Sequence, residues 1–194
     1  MSSVNGVILL GATTVSSAGL LRVAECIFVG STKFLSSALL YFSGSVALEG
    51  GAQWRVEGNS VAVASVLNIP YSWQKIQLSG SGTTVALAHN RQVDSRMRLF
   101  KVLLANTIVE PPARFVVGCN LQGDEEVSYD DVFPEEVVVF RCGTCNEDAA
   151  CYMPGTESVD RSSCTCSCKD GWHGASCLPL RCLTRLCCPQ RREP

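Results

Sequence analysis

Charge is scarce in this 194-residue chain: 18% of residues are charged and the formal net charge is −2. That balance gives no footing for nucleic acid or an acidic membrane surface as a partner. Long apolar runs are also missing. The run Val7, Ile8, Leu9, Leu10 stops at Gly11, and nothing approaches the roughly 20 apolar residues of a bilayer-spanning helix. No basic segment precedes that run, so no secretory leader is legible at the start of this chain. Histidine occurs only as His89 and His173, and both positions read as structural. No Gly-x-Ser-x-Gly elbow, phosphate loop or metalloprotease helix is present. No asparagine is followed two residues on by Ser or Thr, which removes N-glycosylation acceptors. These absences lead us to expect no catalytic residues, no metal and no cofactor.

What is present is a repeat. The stretch YFSGSVALEGGAQWRVEGN, residues 41–59, holds two short strand-like runs around a Gly-Gly corner. Its ending recurs: Val23, Val56, Leu87 and Val117 are each followed three residues later by Cys26, Asn59, Asn90 or Asn120. A spacing near thirty in a Gly-, Ser- and Val-rich chain points to stacked β coils, each burying its apolar face against its neighbours. Residues 1–140 are therefore expected to be all-β, a solenoid of short strands. The expected strands are 7–10, 20–23, 27–29, 38–42, 46–48, 53–56, 61–66, 75–78, 83–88, 114–117 and 136–140. Only RMRLFKVLLANTI, residues 96–108, has the apolar spacing of a short helix, with Leu99, Val102, Leu103 and Asn106 on one face. At the repeated corners Asn tolerates left-handed backbone and can bond the Asn of the next coil. Asn59, Asn90 and Asn120 thus read as a corner ladder with Cys26 in its first position, against the plainer reading that Asn is simply common in turns.

Ten of the twelve cysteines lie between Cys142 and Cys188, the density of a disulfide-stapled extracellular module. Residues 166–177 read C-x-C-x5-G-x2-C with an aromatic before the glycine, the closing half of an EGF-like module. We expect Cys168 to pair with Cys177, and Cys142, Cys145, Cys151, Cys164 and Cys166 to supply the other bridges. Seven cysteines through Cys177 leave one over or paired elsewhere, and connectivity stays open at this level. The rival reading is zinc, with Cys142 and Cys145 as one knuckle and Cys164, Cys166, Cys168 and His173 as further ligands. Its second half, C-x-C-x-C, lacks the spacing of a knuckle. The tail, residues 181–194, is basic through Arg181, Arg185, Arg191 and Arg192, and is expected to be disordered.

One acidic belt offers an enzymatic foothold: Asp124, Glu125, Glu126, Asp130, Asp131, Glu135 and Glu136. Solenoids that cleave acidic polysaccharides use clustered carboxylates, often with calcium. This belt lacks the ordered ligand spacing of a calcium loop and reads as a solvated charge run.

Five long strings carry a more specific signal: LLRVAECIFVGSTKF, YFSGSVALEGGAQWRVEGNSV, IQLSGSGTTVALAHNRQVDS, ARFVVGCNLQGDEEVSYDDVFPEEVVVFRCGTCN and CYMPGTESVDRSSCTCSCKDGWHGASCLPL. Over residues 4–180 the chain resembles the dispersed gene family surface proteins of trypanosomes. The resemblance implies a piece of a very large repetitive protein with the architecture of right-handed parallel β-helices. It also implies a cell-surface or secretory location, a membrane anchor elsewhere in the parent chain, and adhesion to host proteins or glycans. It brings no catalytic residues. The string LRCLTRLCCPQRREP does not resemble the family, and a truncated or frameshifted copy accounts for the missing leader and for Cys182, Cys187 and Cys188. A few coils with both ends uncapped would leave strand edges open, which predicts marginal stability and self-association.

Overall fold

The computed structural model describes residues 6–179, except residues 17, 31–36, 95, 96 and 131. The tail 181–194, with Cys182, Cys187 and Cys188, lies outside the described residues, as does Asp131.

Residues 6–140 form a parallel β-solenoid whose strands fall into four sheets. Sheet A stacks Gly6–Leu10, Ala38–Phe42, Ser65–Asn68 and Phe100–Lys101. Sheet B stacks Thr13–Val15, Val46–Leu48, Ile76–Leu78 and Thr107–Val109. Sheet C takes Leu20–Ala24, Gln53–Glu57, Thr84–Ala88, Arg114–Gly118 and finally Val138–Phe140. Sheet D takes Ile27–Val29, Ser60–Ala62, Arg91–Gln92 and Leu121–Gln122, closed by the antiparallel strand Glu125–Glu126. Each rung thus supplies one strand to every sheet, four rungs in three stacking steps.

Alternation decides the faces. In sheet C the register pairs Val23 with Val56, Val56 with Leu87, and Leu87 with Val117. These four form one inward column, and Leu21, Trp54, Val85 and Phe115 form the next. A strand's period of two forces the residues between them outward. Shifting any rung by one residue would turn its whole apolar set to the other face, so the register is strongly specified.

Two sequence expectations are corrected. Residues 61–66 are two strands rather than one, because Val63 turns the chain at a φ of 53° between Ser60–Ala62 and Ser65–Asn68. The helix expected over 96–108 is instead a strand, a single 3-10 turn at Leu104–Asn106, and a second strand. Its supposed common face is split, with Leu99 and Asn106 buried while Leu103 is exposed. Rung stacking outweighs the helical spacing here, since Phe100 and Lys101 gain ladder bonds on Leu67 and Asn68.

The C-terminal end of the solenoid is plugged, contrary to the expectation of two open ends. Residues 127–130 and 132–137 fold across it, and Tyr129, Phe133 and Val137 join the core. Phe133 packs edge-on against Phe115 at 5.3 Å and Phe100 at 5.6 Å. Burying such a ring contributes roughly 1.5–3 kcal/mol.

Candidate functional site

The repeated corner between sheets C and D is where the sequence pattern acquires geometry. Asn59 Nδ2 donates to Asn90 Oδ1 at 2.9 Å, and Asn90 Nδ2 donates to Asn120 Oδ1 at 2.9 Å. Each amide also reaches back one rung, Asn59 to the Val23 carbonyl, Asn90 to that of Val56 and Asn120 to that of Leu87. Each Oδ1 in turn accepts from the backbone N–H one rung earlier, at Cys26, Asn59 and Asn90, with sequence separations of 33, 31 and 30. Cys26 is buried, and its backbone N–H, bonded to Asn59 Oδ1 at 3.0 Å, places it at the head of the ladder. All three asparagines are essentially inaccessible to solvent, so a missing partner would cost far more than an exposed amide would.

The left-handed residue is not the Asn itself. Positive φ falls one residue earlier, at Glu25 (56°), Gly58 (65°), His89 (56°) and Cys119 (45°). That twist, costing about 1–2 kcal/mol at a non-glycine residue, swings the following side chain into the wall, where the ladder bonds offset the strain. The last corner is held by a further bond that sequence reading left open, the Cys119–Cys142 disulfide. An odd count of seven cysteines downstream was its only signal. The ladder ends on Tyr129, whose hydroxyl accepts from Asn120 Nδ2 at 3.0 Å and from Asn120 N at 3.3 Å. Burial pushes the Tyr129 phenol above its ordinary pKa.

Beyond Phe140 the chain turns back and lies against the outer face of sheet C. Ala88, Val116 and Phe140 pack there with Ala149 of the short helix Glu147–Ala150. Gly118 permits the approach, since a Cβ there would sit 2.1 Å from the Phe140 carbonyl oxygen. Arg55, outward on Gln53–Glu57, is 1% exposed beneath this layer. Its guanidinium donates to the carbonyls of Cys151 (2.8 Å), Asp148 (3.3 Å) and Ala149, and pairs with Glu57 at 3.2 Å. Arg22 holds Glu57 from the first rung, and Arg114 pairs with Asp148 at 2.7 Å, which raises the arginine pKa further. The sequence carried a faint signal of this cover: the outward positions of sheet C here are Ala86, Ala88, Val116 and Gly118, where a wet face would carry polar residues.

The remaining cysteines are joined as Cys145–Cys164, Cys151–Cys166 and Cys168–Cys177. They staple two small hairpins, Thr156–Asp160 with Thr165–Cys168 and Trp172–His173 with Leu178–Pro179. Every cysteine of the candidate zinc set is therefore half of a disulfide, and among the described residues no three of His, Cys, Asp or Glu converge as metal ligands. Asp160 accepts from Ser162 and Ser163, which holds its carboxyl down at about 2.

Among the described residues the acidic belt does not gather into a constellation. Asp124 pairs with Arg91 at 2.5 Å, Glu126 accepts from the Cys142 N–H at 3.0 Å, and Asp130 accepts from Ser128. Glu125 and Glu126 border an open groove of about 460 Å³ with Arg98, Phe100 and Val127. His89 packs edge-on against Phe140, with ring centroids 6.1 Å apart.

Residues 78–178 match the family model described as the DGF-1 N-terminal domain, more than half of the chain. The chain belongs to the DGF-1 family, that is, to the trypanosomal dispersed gene family proteins. No curated protein and no solved structure matches it. The DGF-1 match begins within the third rung, yet the ladder and the strand register run unbroken into the two rungs before it. DGF-1 membership fits a surface or secreted protein. No helix among the described residues is long and apolar enough to cross a membrane.

Proposed function

We propose that this chain is a non-catalytic piece of a large cell-surface repeat protein that presents a rigid scaffold for contact with host proteins or glycans. The observation that carries this reading is how the reactive side chains are used. Arg55, Glu57, Arg114 and Asp148 lock the cysteine layer to the solenoid, and Asp124 and Glu126 tie down loops. We read the cysteine layer as EGF-like. Among the six cysteines from Cys145 to Cys177, first pairs with third, second with fourth and fifth with sixth, an interleaved staple suited to a segment too short for a core of its own.

The test is attachment of oxidised protein to immobilised host matrix and to host cells. Saturable binding that disappears on reduction is expected; no binding by correctly oxidised protein would overturn the proposal. Alanine replacement of Asp124, Glu125, Asp130 and Asp131, assayed on uronate polymers with calcium, distinguishes the polysaccharide-cleaving alternative, which requires activity that those changes abolish.

A further inference from the structure

The corner between sheets A and B carries two aromatic rings that the fold does not use. Tyr71 and Trp73, in the loop between Ser65–Asn68 and Ile76–Leu78, are 54% and 62% exposed. Their rings lie nearly parallel, 12° apart in plane with centroids 5.8 Å apart. The loop beneath them is held by buried amides. Gln74 is fully buried, its Oε1 accepting from the Tyr71 N–H at 3.2 Å and its Nε2 donating to the Phe42 carbonyl at 3.1 Å. Asn106 of the next rung, also fully buried, donates to the carbonyls of Tyr71 (3.0 Å) and Gln74 (2.7 Å). Four hydrogen bonds from two buried amides thus fix a loop whose largest side chains face water, which is preorganisation of a surface rather than fraying.

A cation completes the arrangement. Lys75 Nζ lies 3.0 Å from the Ser72 carbonyl, the carbonyl of the peptide that enters Trp73, and it also donates to the Ala105 carbonyl. Two of its three ammonium donors are so used, and no carboxylate pairs with it among the described residues. Flat π faces attract the polarised C–H bonds of a sugar ring through their negative potential, and an ammonium beside them selects an anion.

We propose that Tyr71, Trp73 and Lys75 form a binding site for an acidic glycan, with a pyranose ring laid on the aromatic faces and its carboxylate paired with the ammonium. This rests on the contact function proposed above and narrows it to one place and one ligand class.

The experiment is a titration of the full, disulfide-intact chain with a glucuronate-terminated oligosaccharide and with its glucose-terminated counterpart, at low salt. The uronate form binds more tightly, and Trp73→Ala weakens it by about tenfold or more. Lys75→Gln removes the preference for the acid, and Lys75→Arg keeps it. Leu104→Ser, at an exposed residue of the neighbouring rung, changes nothing. Trp73→Ala leaves the melting temperature unmoved because the ring is mostly in water. Equal affinity for both sugars, no binding, or an unchanged Trp73→Ala affinity would overturn the site. A loss in Leu104→Ser as large as in Trp73→Ala would mark an interface for a protein partner instead and would overturn it too. Attachment to host cells that survives in Trp73→Ala refutes this site while leaving the contact function standing. Absence of attachment by the wild-type chain refutes the contact function, and the soluble-sugar titration is read independently of it.

Discussion

The solenoid and the cysteine layer solve the same problem in opposite ways. Among the described residues the solenoid gathers twenty-seven buried residues into one core cluster and shows no disulfide between its rungs. The cysteine layer has little to bury beyond Tyr152 against Trp172 at 5.4 Å, and relies on three internal disulfides and a fourth to the last ladder corner. A stacked repeat can spread apolar burial and amide bonds over its neighbours, whereas a segment of some forty residues cannot and must constrain its unfolded state instead. The two are not independent, because Arg55 and Ala149 make the solenoid's outer face part of the cysteine layer's floor.

The largest expected break in that contrast is reduction. Loss of the four bonds, each worth about 2–4 kcal/mol, should unfold residues 141–179 and leave the solenoid's β signal in place; hydrogen exchange read by mass spectrometry checks it. Uniform loss of protection across both regions would show that the solenoid depends on the staples.

Next in size is Asn90→Ala, which strips acceptor and donor from Asn59, Val56 and Asn120 at once. A loss of about 4 kcal/mol is expected in denaturant unfolding, with the cysteine pairing unchanged in a peptide map. Arg55→Ala should cost about 3 kcal/mol by leaving three carbonyls unsatisfied. Its distinguishing readout is exposure of Ala88 and Val116 amides while Cys145–Cys164 stays bonded.

Smaller still is Tyr129→Phe, about 1 kcal/mol for the lost end of the ladder. Because burial raises the Tyr129 pKa above the unfolded value near 10, its contribution is complete below that pH and is lost as pH rises beyond it. The alkaline drop in melting temperature should therefore shrink in Tyr129→Phe. The smallest effect belongs to Asp160, whose pKa is depressed to about 2 from 3.8. Its contribution is present above pH 4 and lost as pH falls toward 2, a window an NMR titration reads directly, and Ser163→Ala should move the midpoint up.

Much of this was written locally. Residues Ile27–Val29, Ala38–Phe42 and Val46–Leu48 read as strands from composition alone and are strands. The corner spacing identified the rungs because a stacked coil must return each residue type to the same place. By contrast, nothing in Q-W-R-V-E marked Arg55 as a buried anchor, and residues 96–108 looked helical. In both cases the deciding partner lies far along the chain, 96 residues away for the Cys151 carbonyl.

What the sequence determined by itself was the repeat, its inward columns and the ladder positions, since period and side-chain type act within a strand and its immediate neighbours. Only the tertiary structure decided that the left-handed twist falls one residue before each ladder position, that Cys119 closes the last corner, and that the outer face of sheet C is covered. It also decided which aromatics are spent. Tyr129 and Phe133 fill the open end while Tyr71 and Trp73 stay in water, a difference no local pattern encodes, because burial is set by what else arrives at the same point in space.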